Sequence, residues 1–207
     1  MKLNKFSVPL GLLDYINPIL YTITAITIIK NINMTSPYST ILIIGAIISI
    51  VFGFIIPTGK VLVGLNIIKF RMPVILVLMV NIGLLLTGTM LIKHTLDLTL
   101  LFLLIIILSV ACILYFIYDK NKKLNTIAVL IGAAGYLFIY TSLIIMSIID
   151  GILLPIFLYA IAIILFIILC GIGIKANLKN PIIHWIIEIS NVVCQLLVAI
   201  ATVLLFK

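Results

Sequence analysis

The chain has 207 residues, 65% of them hydrophobic and 9% charged, and its mean hydropathy is +1.50. Soluble proteins average roughly 45–50% apolar and about 25% charged residues, so composition excludes a water-soluble fold and points to an all-α integral membrane protein. The net charge of +8 is scattered over short segments and forms no stripe or tail, which argues against nucleic acid as the partner.

Seven apolar runs, 9–29, 38–56, 72–92, 98–118, 124–149, 152–174 and 181–206, are each long enough for the roughly 20 helical residues that cross a hydrocarbon core of about 30 Å. They are continuous and do not alternate, unlike the strands of a membrane barrel. The connections are too short for a soluble domain, so a single polytopic domain in the lipid bilayer is expected.

In the first span Asp14, Asn17, Tyr21 and Thr24 recur at i, i+3, i+7 and i+10 and share a helix face. Pro18 removes a backbone donor and is expected to kink the helix just after Asn17. Lys2 and Lys5 ahead of an apolar run resemble a signal peptide, but Asp14 and Asn17 interrupt that run and no small-residue cleavage site closes it, so a retained span is expected. The second span is expected to end at Ile56. The longest connection, Pro57 to Pro73, then mixes Lys60, Lys69 and Arg71 with apolar residues, as a segment lying along the membrane interface would.

The third span carries Asn81 at depth, followed by Gly83 and Gly88. The fourth is nearly featureless and is expected to face lipid. In the fifth, Ala128, Gly132, Gly135 and Ser142 form a small-residue face that lets another helix come close. The Asp150–Gly151 turn is so short that spans five and six should be antiparallel neighbours. The last span holds the richest pattern: His184, Glu188, Asn191 and Gln195 at i, i+4, i+7 and i+11, one polar stripe on an apolar helix. A charge at mid-bilayer costs about 2.5–3.5 kcal/mol on insertion scales, so this stripe must face protein or water.

With loops assigned alternately, Lys2, Lys5, Lys60, Lys69, Arg71, Lys120, Lys122, Lys123, Lys175 and Lys179 fall on one side and Lys30, Lys93 and Lys207 on the other. The positive-inside bias then places the amino terminus in the cytoplasm and the carboxyl terminus outside, at the cell membrane. Spans one, three, five and seven run outward together. At 1.5 Å rise per residue, His184, Asp14, Glu188 and Asn81 lie about 5, 8, 10 and 13 Å from the cytoplasmic side. If spans one, three and seven adjoin, these residues converge on a polar cavity open to the cytoplasm.

The candidate binding residues are therefore Glu188, His184, Asp14, Asn81 and Asn191. Two carboxylates at one depth call for a proton, a cation or water. His184, beside Trp185, suits either a proton carrier or an interfacial anchor. Asn81, Gln195 and Thr24 belong to residue types that also simply hydrogen-bond helices together, at roughly 0.6 kcal/mol per contact.

Cofactor motifs fail on inspection. Gly53 to Lys60 lacks the spacing and the Ser or Thr of a phosphate loop. Asn17, Pro18 and Tyr21 match a receptor motif in the wrong span. His184 with Glu188 four residues on, in a chain of seven expected spans, resembles the hemolysin III and adiponectin-receptor hydrolases in topology, but the second histidine that their zinc site needs is missing. Cys112, Cys170 and Cys194 lie within spans as small apolar side chains, and their number and spacing argue against a disulfide framework or metal cluster. No cofactor or metal is expected. The leading functional reading is a small transporter, or the membrane subunit of one, that binds a proton or cation around Glu188 and carries a small molecule or ion. The alternatives are an intramembrane lipid-modifying enzyme using the same groups as general acid and base, and a non-catalytic subunit with membrane-protein partners.

Overall fold

A computed structural model of the chain describes residues 7–68, 74–96, 124–175 and 181–207. They form helices α1 (Val8–Asp14), α2 (Ile16–Asn31), α3 (Tyr38–Gly64), α4 (Val74–Leu96), α5 (Leu124–Ile149), α6 (Leu153–Lys175) and α7 (Pro181–Leu205), with no strand among the described residues. With α1 and α2 counted as one passage, six are long and apolar enough to cross a membrane, consistent with a multipass helical membrane bundle. The expected span 98–118 and the charged turn at 119–123 lie outside the described residues, as do Lys69, Arg71 and Lys179.

Two boundaries differ from the sequence reading. The first passage breaks at Tyr15, one turn before Pro18 and not just after Asn17. A helix interior bonds each N–H to the carbonyl four residues earlier, so the donor that Pro18 lacks is the one Asp14 would have used. The second span does not stop at Ile56. Pro57 lies inside α3, which continues to Gly64, because a proline removes a single bond and neighbouring groups in a membrane bundle take up the freed ones. The segment holding Lys60 is therefore two further turns of helix.

Helix ends follow local backbone chemistry. After α5, Gly151 adopts φ +71°, its N–H reaches the Ile148 carbonyl at 3.2 Å, and the Ile152 N–H reaches Ser147 at 2.9 Å. This is the Schellman arrangement, for which glycine carries no Cβ penalty, and it turns α6 back against α5 as expected. Asn66, at φ 60°, closes α3 in the same way, with Asn66 and Ile67 donating to Val63 and Leu62.

The passages close into a ring. The first packs on α3, α3 on α4, α4 on α5, α5 on α6, α6 on α7, and α7 on α1 and α2. Glycines set the closest approaches. A Cβ on Gly45 would stand 2.9 Å from the Gly83 carbonyl oxygen, and one on Gly135 would stand 2.7 Å from the backbone of Leu84 and Leu85. The small face expected on the fifth span thus receives α4. The exposed surface of α7, Ile182, Ile186, Ile189, Val193, Leu196, Ile200 and Val203, is apolar at helical spacing, while its polar stripe turns toward the ring. Tyr140, Tyr159, Met90, Leu91, Leu143 and Val198 fill part of the interior. Asp14, Lys60 and Glu188 gather elsewhere.

A buried ion triad beside a central cavity

Gly11 begins the site. A Cβ there would meet Val61 Cγ2 at 2.8 Å and the Val61 backbone nitrogen at 3.1 Å, so only glycine lets α1 lie this close to the last turns of α3. Three residues further along α1, Asp14 then faces Lys60. The Lys60 ammonium donates to Asp14 Oδ2 at 2.6 Å and to Glu188 Oε1 at 2.8 Å. Asp14 and Glu188 are only 9% and 8% exposed. One lysine thereby fastens α1, α3 and α7 together. Tyr15 and Thr58 add a second tie between the first passage and α3, their hydroxyls 2.6 Å apart. Thr58 spends its proton on the Phe54 carbonyl at 2.7 Å, so Tyr15 is the donor.

Next to the triad, inside the ring, is a cavity of about 310 Å³. Every described passage contributes to its wall: Asp14, Asn17 and Tyr21 from the first, Ser49 and Gly53 from α3, Asn81 from α4, Gly132 and Tyr136 from α5, Phe166 and Cys170 from α6, and Asn191 and Gln195 from α7. Asp14 belongs to both the triad and the wall. Asn17 Nδ2 donates to the other oxygen of Asp14 at 3.2 Å, and its own Oδ1 is buried with no hydrogen-bond partner. Asn81 Nδ2 donates to the Ala128 carbonyl at 2.7 Å. Gly132 makes room for that side chain, since a Cβ there would collide with Asn81 Oδ1.

Of the five candidates, Asp14 and Glu188 meet through Lys60, and Asn81 and Asn191 line the cavity. His184 lies half-buried one turn before Glu188 and is not on the cavity wall. The expected adjacency of spans one, three and seven holds for one and seven. The third is separated from the first by α3, with Tyr21 reaching across to donate to Thr87 at 3.3 Å. Asn81 therefore confronts Asp14 from the opposite wall. The sequence reading missed Lys60 by ending the second span at Ile56, before Pro57, although Val61, Leu62 and Val63 continue the apolar run beyond it. It weighed Asn17 only as part of a polar face and Gln195 only as a helix contact.

The charge balance is the site's main electrostatic feature. Two carboxylates face one ammonium, which leaves one negative charge in a layer where an unpaired ion is costly. A proton or a cation restores neutrality. Among the described residues no three His, Cys, Asp or Glu side chains converge as a metal site. No family model matches the chain, and comparison with curated proteins and with solved structures finds no match.

Proposed function

We propose that the protein is a small multipass transporter of the cell membrane, or the membrane subunit of one, whose cytoplasmic-side cavity binds a proton or cation through Asp14 and Glu188. The observation that carries this reading is the position of Asp14, which is at once a wall of the cavity and a partner of Lys60. Whatever neutralises the second carboxylate competes for the bonds by which Lys60 holds three passages together. Occupancy of the cavity and the packing of helices around it are thus linked, as carrier function requires. His184, one turn from Glu188, is the titratable neighbour through which a proton reaches that carboxylate, and Asn81 and Asn191 supply polar contacts at the wall.

The test is the Glu188→Gln variant. It keeps the shape and hydrogen-bonding capacity of the side chain, leaves Lys60 paired with Asp14, and buries an amide in place of a carboxylate, so folding should persist. The purified protein is reconstituted in liposomes on a supported membrane, and charge movement is recorded after a jump in pH, Na⁺, K⁺ or an ammonium compound. Wild-type protein is expected to give a current that Glu188→Gln abolishes, with both proteins melting at similar temperatures in detergent. A Gln variant as active as wild type, with damage only in Glu188→Ala, would reduce the stripe to a helix contact and overturn the carrier.

A further inference from the structure

The hydrogen-bond polarity of the cavity narrows what it can hold. The Asp14 carboxylate and the Ala128 carbonyl are acceptors only, so each must be met by the nitrogen of the amide that touches it. That fixes the orientation of both amides: Asn17 and Asn81 spend an N–H on the protein and keep their carbonyl oxygens. Gln195 likewise directs its nitrogen to the Tyr140 hydroxyl at 3.5 Å. Asn17 Oδ1 is buried beneath the cavity surface and without a partner, so a ligand N–H reaches it as the Asn17 side chain turns toward the cavity. The adjoining triad carries one excess negative charge. An anion meets repulsion here.

A bare inorganic cation would satisfy the charge but leave much of the wall unused, because Pro18, Ile56, Val80, Leu84 and Phe166 alternate with the polar groups. The volume of about 310 Å³ lies at the lower end of the roughly 300–1,000 Å³ of small-molecule sites, which likewise join apolar walls to a few fixed polar atoms. Tyr21, Tyr136 and Phe166 add aromatic rings to the wall, and aromatic rings attract ammonium groups. The geometry points to a small organic ammonium ion with an apolar body as the ligand of this cavity. Its N–H groups donate to Asn17 Oδ1 and Asn81 Oδ1, and its charge offsets the excess carboxylate of Asp14–Lys60–Glu188. This assignment rests on the carrier reading and names the class of its substrate.

Thermal melting of the intact chain in detergent tests it with n-butylammonium chloride as the probe. Butanol, butyrate and sodium chloride at equal concentration are the comparisons. Butylammonium is expected to raise the melting temperature saturably, with the three others giving no saturable rise. Asn17→Leu should weaken the apparent affinity about tenfold or more, the loss of a hydrogen bond to a charged donor. If Asn17→Leu fails to fold, butyltrimethylammonium, which has no N–H to donate, serves the same purpose on the wild-type chain and should bind at least about tenfold more weakly. Equal stabilisation by butanol, stabilisation by sodium alone, or no saturable rise with butylammonium each overturns the assignment. A Glu188-dependent current on a pH or sodium jump alongside any of those results would leave the carrier intact with a different cargo. Saturable butylammonium binding without any current would support the assigned ligand and remove transport.

Discussion

Lys60 and Glu188 are 128 positions apart in the chain and 2.8 Å apart in the fold. Their meeting depends on three features: α3 continuing through Pro57, Gly11 admitting the α3 backbone, and the last passage closing the ring against the first. The pair has Asp14 as its third member, and the consequences of removing a charge differ sharply with the residue chosen.

Lys60→Met should be the most damaging single change in the triad. It leaves two buried carboxylates facing each other, and removing one partner of a buried ion pair costs about 3–5 kcal/mol. Replacing all three charges at once, Asp14→Asn with Lys60→Met and Glu188→Gln, leaves no uncompensated ion and should recover most of that loss. Detergent melting curves of the single and triple variants check this. A Lys60→Met protein as stable as wild type would mean that the triad does not hold the three passages together.

The glycines divide by what a methyl group would strike. Gly135→Ala should lower the melting temperature strongly, because the new atom meets the α4 backbone at 2.7 Å and overpacking typically costs about 1–3 kcal/mol or more. Gly53→Ala should be mild, since only the Pro18 side chain, at 3.2 Å, is near. Gly151→Ala has open space around it but forces a left-handed conformation, at a cost of about 1–2 kcal/mol. The expected order of stability is Gly53→Ala, then Gly151→Ala, then Gly135→Ala, read from the same melts. A reversal of the first and last would contradict the α4–α5 packing.

Orientation is tested by single cysteines in a background lacking Cys112, Cys170 and Cys194. Both Asn31 and Ile67 are exposed at helix ends on opposite sides of the bundle. In intact cells a membrane-impermeant thiol reagent should label Asn31→Cys and leave Ile67→Cys unmodified until the membrane is opened. The opposite pattern would invert the bundle and move the cavity to the outer side.

Much of the architecture was legible because it depends on local composition. Continuous apolar runs announce membrane helices, the Asp150–Gly151 turn specifies a neighbour through short-range chemistry, and the small face of the fifth span marks where some helix can come close without saying which. The two acids were legible for a related reason: Glu188 and Asp14 interrupt runs in which charge is expensive. Lys60 was not, because a lysine beside a proline and a glycine has the same appearance in a loop as in a buried helix. What distinguishes the two cases is the partner, and Asp14 and Glu188 are distant in sequence. Asn17 and Asn81 marked polar faces, but which of their atoms the protein would leave unused depends on Asp14 and on the Ala128 carbonyl, contacts that no periodicity encodes.

The glycine contacts on both flanks of α4 have a mechanical consequence. With Gly45 against Gly83 on one side and Gly135 against Leu84 on the other, α3, α4 and α5 touch backbone to backbone and make a stiff half-shell. Gly11 seats α1 on the α3 backbone as well, so the first passage is pinned to that shell at its start, and α6 and α7 are the described passages left to swing against it. Lys60 and Asp14 then belong to the seated part and Glu188 to the swinging one. The Lys60–Glu188 pair therefore bridges the seam along which the ring can part, and a ligand that draws charge away from Lys60 acts on the clasp itself.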